Sequence, residues 1–192
     1  MNRTKFIGVG HKKQQGKGAF SNALSKYLVD AGHDVHCIGF ADCLKQIAIQ
    51  VYGLTWEQAW SGERHRESGT EVLCRDICID GGGYATARQV LQYVGNLFRR
   101  DDPDVWVKSA VKRGRATGAD FVIVTDLRFP NELESMDYTV RVFGRPELPD
   151  TDISETALDG YDGWTFEAVN FGDLHALDRV AMDVADKIIG LG

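Results

Sequence analysis

The chain has 192 residues, of which 43% are hydrophobic and 26% charged, and a formal net charge of -6. That length suits one domain whose core needs neither disulfide nor metal support. The acidic balance argues against non-specific binding to a polyanion such as nucleic acid, although a few converging cations suffice for a local phosphate pocket. No run approaches membrane-spanning length, and the opening MNRTKFIGVG lacks the apolar stretch of a signal peptide. A cytoplasmic location with no membrane partner is therefore expected. The four cysteines, Cys37, Cys43, Cys74 and Cys78, fit a reducing compartment. Cys74 and Cys78 lie near His65, but the spacing is not that of a zinc finger and no second pair follows.

In chain order, Lys5 to Gly10 reads as a short buried strand feeding a glycine-rich turn. Phe20, Ala23, Leu24, Tyr27, Leu28 and Ala31 recur at helical spacing, and Gly32 ends that helix. Val35 to Gly39 reads as a second strand. Ala41, Leu44, Ile47, Ala48 and Val51 mark a second helix, stopped by Gly53. Residues 54–85, with Trp56, Trp60, the charged run Glu63 to Glu67 and Gly81 to Gly83, read as a short helix plus a mobile loop. Thr86 is a good N-cap for a helix on Ala87, Val90, Leu91, Val94 and Phe98. A further helix starts near Asp104 and carries Val105, Trp106, Ala110 and Val111. Phe121 to Thr125 is continuously apolar, as a central parallel strand covered on both faces requires. Tyr138 to Phe143 and, more weakly, Phe166 to Asn170 read as strands. Leu174, Leu177, Ala181, Val184 and Ile188 mark a closing helix, and the acidic Glu147, Asp150 and Asp152 read as loop.

Strands alternating with helices predict an α/β fold with a mostly parallel sheet. Ligands of such sheets sit at the carboxyl ends of the strands, so the glycine turn, the segment after Gly39 and the segment after Thr125 are expected to converge there. The turn reads Gly10-His11-Lys12-Lys13-Gln14-Gln15-Gly16-Lys17-Gly18-Ala19. Glycines let backbone N–H groups face an anion, the following helix contributes its positive end, and Lys17 is placed to reach β- and γ-phosphates. The match to G-x-x-x-x-G-K-[ST] is irregular: five residues separate Gly10 from Gly16, and glycine follows Lys17 where a Mg²⁺-binding hydroxyl is usual. Ser21, a helical turn further on, is a poor substitute. A glycine-rich turn that binds nothing is the alternative.

Together with this loop, Phe40-Ala41-Asp42-Cys43-Leu44-Lys45, Thr86 to Gln92 with Gly95 and Arg99, Asp104 to Val107, Asp126-Leu127-Arg128-Phe129-Pro130-Asn131-Glu132, Arg141 to Arg145, Ser154-Glu155 and Asn170 follow one another over most of the chain. In that order they resemble the phage-type deoxynucleoside monophosphate kinases of the P-loop nucleotide kinase superfamily. The D-L-R-F-P-N-E string is the most specific part and the glycine loop the least. The resemblance implies a three-layer P-loop fold over the whole chain, with a helical acceptor-binding or lid excursion at about 54–116. It also implies ATP and Mg²⁺ as cofactors and transfer of the γ-phosphate to a small nucleotide. It is compatible with a homodimer, and with the host cytoplasm for a phage-encoded member.

The roles implied are these. Lys17, Asp126, Arg128 and Lys13 serve phosphoryl transfer, with Asp126 holding Mg²⁺ directly or through water. Gly10, Lys12, Gln15, Gly16, Lys17, Gly18, Ala19 and Arg145 bind ATP. Phe40, Lys45, Arg66, Arg88, Gln92, Arg99, Asp126 and Arg128 meet the acceptor. Arg88, Gln92, Gly95 and Arg99 share one helix face by their spacing. The alternatives are plain: a turn residue for Asp126, an ion pair with Glu132 for Arg128, and solvation for Lys12, Lys13 and Arg99. Core packing is the alternative for Phe40, and a solvated loop is preferred for Arg64 and Arg66. Trp106 reads as core.

Overall fold

The structure is a computed structural model that describes residues 3–80, 82–146 and 153–191, the side chain of residue 63 excepted. Glu147, Asp150, Asp152 and Gly81 lie outside the described residues. The chain divides into two compact units, one formed by Met1–Phe40 with Ala110–Gly192 and the other by Ala41–Ser109.

The first unit is built on five parallel strands. They are β1 (Lys5–Gly10), β2 (Val35–Ile38), β5 (Phe121–Leu127), β6 (Tyr138–Phe143) and β7 (Phe166–Val169), in the order β2-β5-β1-β6-β7. The period of two assigns their faces. Ile7, Val9, Phe121, Ile123, Val140 and Val142 point to one side, where they pack with Phe20, Leu24 and Leu28 of α1 (Lys17–Asp30). Leu177, Ala181, Val184, Ala185 and Ile188 of α9 (Leu174–Gly190) complete that core. Phe6, Val122 and Val124 point to the other side and are equally buried. There, Gly114 of α6 (Val105–Thr117) comes so close that an added Cβ would stand 2.5 Å from Phe6 and 3.1 Å from Val122. The result is the expected layered α/β fold, with a buried parallel sheet between helices. Two one-turn helices, α7 (Pro130–Leu133) and α8 (Ile153–Thr156), follow β5 and precede β7.

The second unit holds α2 (Ala41–Tyr52), α3 (Trp56–Trp60), α4 (Glu63–Arg66) and α5 (Ala87–Asp101), together with the first part of α6. It also contains an antiparallel pair, β3 (Gly69–Leu73) and β4 (Tyr84–Thr86), joined through a 3₁₀ turn at Cys74–Ile77. This corrects the reading of 54–85 as one helix plus loop. Thr70 Oγ1 donates to the Ala85 carbonyl at 2.8 Å, and the Ala87 N–H donates to the Ser68 carbonyl at 3.0 Å, so the segment is tied in regular structure. Trp106 is buried, its indole N–H donating to the Gly95 carbonyl at 3.0 Å. Among the described residues no helix is long and apolar enough to cross a membrane.

Candidate phosphate-binding site

β1 is the middle strand, and its carboxyl end opens into the glycine-rich turn. Counting back from Lys17 explains the irregular spacing. Four residues, Lys12 to Gln15, separate His11 from Gly16, which is the spacing of the common pattern. His11 thus stands where the first glycine belongs, and it adopts a left-handed φ of 88°. Counted this way, the turn differs from the common pattern by a histidine in place of its first glycine. A non-glycine residue held there costs about 1–2 kcal/mol, which the surrounding contacts must offset. Gly16, at φ 94°, needs its lack of a side chain for two reasons. The backbone is left-handed, and a Cβ would run into the Asn170 amide.

Two buried amides peg the loop. The Gln15 Nε2 donates to the Arg145 carbonyl at 3.1 Å, while its Oε1 accepts from the Arg145 N–H at 3.0 Å. Asn170 Nδ2 donates to the Gln15 carbonyl at 2.8 Å. Gln15 is 1% exposed and Asn170 3%, so each amide has given up water for these partners. For Gln15 and Arg145, both expected at ATP, the structure thus shows a tie between loop and β6 exit; the Arg145 side chain itself is exposed.

Lys17 opens α1, with no acidic residue in that first turn. Its ammonium folds back and donates to the carbonyls of His11, at 2.9 Å, and Lys12. Burial, and then the Arg128 guanidinium, bring its pKa down from 10.5 to about 7, against the pull of the Glu155 and Asp126 carboxylates. Arg128 also donates to the His11 carbonyl, at 3.1 Å. Two cations therefore converge on one carbonyl at the carboxyl edge of the sheet, the arrangement an anion would relieve. Gly18 and Ala19 are exposed on the first turn of α1, Ala19 at the mouth of a groove it shares with Leu174 and Leu177 of α9. Ser21 is buried, and its Oγ has no hydrogen-bond partner among the described residues.

Asp126 reaches this edge through an irregularity. Gly8 pairs with Val124 but Gly10 with Leu127, so β5 carries one extra residue at Thr125–Asp126. Such bulges re-aim a side chain. The Asp126 Oδ1 accepts the Phe40 N–H at 2.7 Å, which ties the exits of β5 and β2 together. Phe40 itself is 2% exposed, a core position. The Glu132 carboxylate accepts the backbone N–H groups of Arg128 and Phe129 at 2.6 and 3.0 Å, and the Arg128 side chain pairs with Glu155.

Glu155 is the residue that sequence reasoning assigned no role. From α8 its Oε2 accepts the Lys13 N–H at 2.7 Å and the Arg128 guanidinium. Nearby, Lys12 pairs with Asp159 at 3.1 Å, and Trp164 meets His11 edge-on at 6.4 Å.

The remaining acceptor candidates belong to the second unit. Lys45 lies over the Trp60 ring at 4.2 Å, Arg88 pairs with Glu67, and Arg99 and Gln92 lie with Arg88 along α5. Arg64 is exposed, whereas the Arg66 Nε is buried. Among the described residues no three histidines, cysteines or acids are grouped to hold a metal ion. Neither a scan against protein-family models nor a search of curated proteins finds a match to this chain.

Proposed function

We propose that the chain is an ATP-dependent deoxynucleoside monophosphate kinase, converting ATP and a dNMP to ADP and a dNDP. The observation that carries this reading is the loop after β1, where Lys17 and Arg128 meet at the His11 carbonyl in front of the N-terminus of α1. Phosphoryl transfer asks mostly for positioning and charge neutralisation, and these groups supply both. In this reading Lys17 turns from the loop carbonyls to the β- and γ-phosphates, and Arg128 stabilises the charge that develops on the transferred group. The acceptor is assigned to basic and amide side chains of the second unit, Lys45, Arg66, Arg88, Gln92 and Arg99, on the strength of the sequence resemblance.

A carboxylate at a strand end fits Mg²⁺, which commonly takes one or two carboxylates and completes its shell with phosphate oxygens and water. Asp126 would hold it, and when bound the metal would neutralise charge between the β- and γ-phosphates.

The test is incubation of the protein with ATP, Mg²⁺ and a panel of ordinary and modified dNMPs, with an oligonucleotide as the polymeric control. The expected result is ADP and a dNDP from at least one free nucleotide and no transfer to the oligonucleotide. Transfer to the oligonucleotide alone, or none at all, would count against the proposal. The glycine after Lys17 favours one other reading, a nucleotide-binding protein that performs no transfer. ATP binding without turnover on the whole panel is its signature.

A further inference from the structure

The Glu155 carboxylate sits where an anion would. One oxygen, Oε2, accepts both a loop N–H, from Lys13 at 2.7 Å, and the guanidinium of Arg128, as a phosphate oxygen does in such a loop. Its side chain is 11% exposed and that of Arg128 21%, so the pair is largely withdrawn from water. The same segment brings a second acid, Asp159, to Lys12. Two carboxylates from one short stretch thus cover two basic residues of the loop region. Lys17 lies next to them, its pKa lowered first by burial and then by the Arg128 guanidinium, while Glu155 and Asp126 pull it the other way.

We propose that the Lys13 N–H and the Arg128 guanidinium form a phosphate subsite, and that the Glu155 carboxylate and the terminal phosphate of a nucleotide occupy it in turn. The proposal rests on the phosphate-loop reading above and adds a regulation to it. Glu155 neutralises the subsite from within, and a ligand must carry more charge than one carboxylate to displace it. A triphosphate meets that condition; a lone carboxylate metabolite does not. Apparent affinity is then reduced by the fraction of molecules in which Glu155 has left.

The experiment titrates inorganic tripolyphosphate, without metal, into wild type, Glu155→Gln and Lys17→Ala by calorimetry. Gln keeps the shape and removes the charge. Glu155→Gln is expected to bind about tenfold tighter than wild type, as for a site with about a tenth of its molecules open. Equal or weaker binding, with Lys17→Ala weaker than wild type, overturns the exchange alone. Equal binding by wild type and Lys17→Ala overturns the loop reading and the exchange together. Should Glu155→Gln not fold, hydrogen exchange on wild type decides. Tripolyphosphate is expected to slow amides in 11–18 and quicken those in 153–159, and slowing of both contradicts the proposal.

Discussion

Lys17 couples the site to pH. Its folded pKa is about 7 and its ordinary value 10.5, because burial and Arg128 disfavour the charge. Between those two pH values the unfolded chain holds a proton that the folded chain has released, so stability rises with pH through that window. Below about pH 7 both states are protonated and the cost of the buried charge is felt in full. Lys17→Met removes this titration. Its stability gain over wild type is expected to be largest at pH 6 and to shrink toward pH 10, by up to about 1.4 kcal/mol per pH unit. Urea denaturation of both proteins at pH 6, 8 and 9.5 checks this, and a difference independent of pH would contradict it. The place of Lys17, at the start of the helix after the glycine-rich turn, was legible in the sequence because the residues that mark it are local. The role of Glu155 was not, since 142 residues separate it from Lys13. Nor was that of Gln15, whose partner Arg145 is 130 residues away. A side chain whose meaning lies in a distant backbone group carries no local signature.

Among the elements, α5 shows what a sequence states well. Thr86 accepts the Gln89 N–H at 3.3 Å, and Gln89 Oε1 accepts the Thr86 N–H at 2.8 Å, a reciprocal cap followed by a clear helical period. Thr86→Ala is expected to cost about 1 kcal/mol, read as a lower denaturation midpoint with unchanged slope. No loss would mean that the cap carries no weight. The β3–β4 pair was missed for a physical reason. β3 has five residues and β4 three, Thr and Glu interrupt their apolar positions, and the connection passes through Cys78 at a left-handed φ of 54°. Too few residues alternate for a period of two to stand out. The one-turn helices α7 and α8 are likewise too short for a period of 3.6, and α8 is the one that delivers Glu155.

At the scale of the whole molecule, the layered α/β arrangement followed from continuous apolar strands between amphipathic helices. Phe121 to Val124 needed both faces covered, and α1, α9 and α6 cover them. Strand order was not legible, because neighbours in a parallel sheet are distant in the chain. That order matters to function: β5 lies beside β1, so Asp126 and Arg128 emerge at the edge where the Lys17 loop begins. As a kinase, the chain would bind the polyphosphate of ATP at this edge. Calorimetric titration of ATP into wild type and Lys17→Ala tests it most directly. Saturable one-to-one binding by wild type and about hundredfold weaker binding by the variant are expected, the loss of a charged hydrogen-bonding partner. Equal affinity in the two proteins would contradict it.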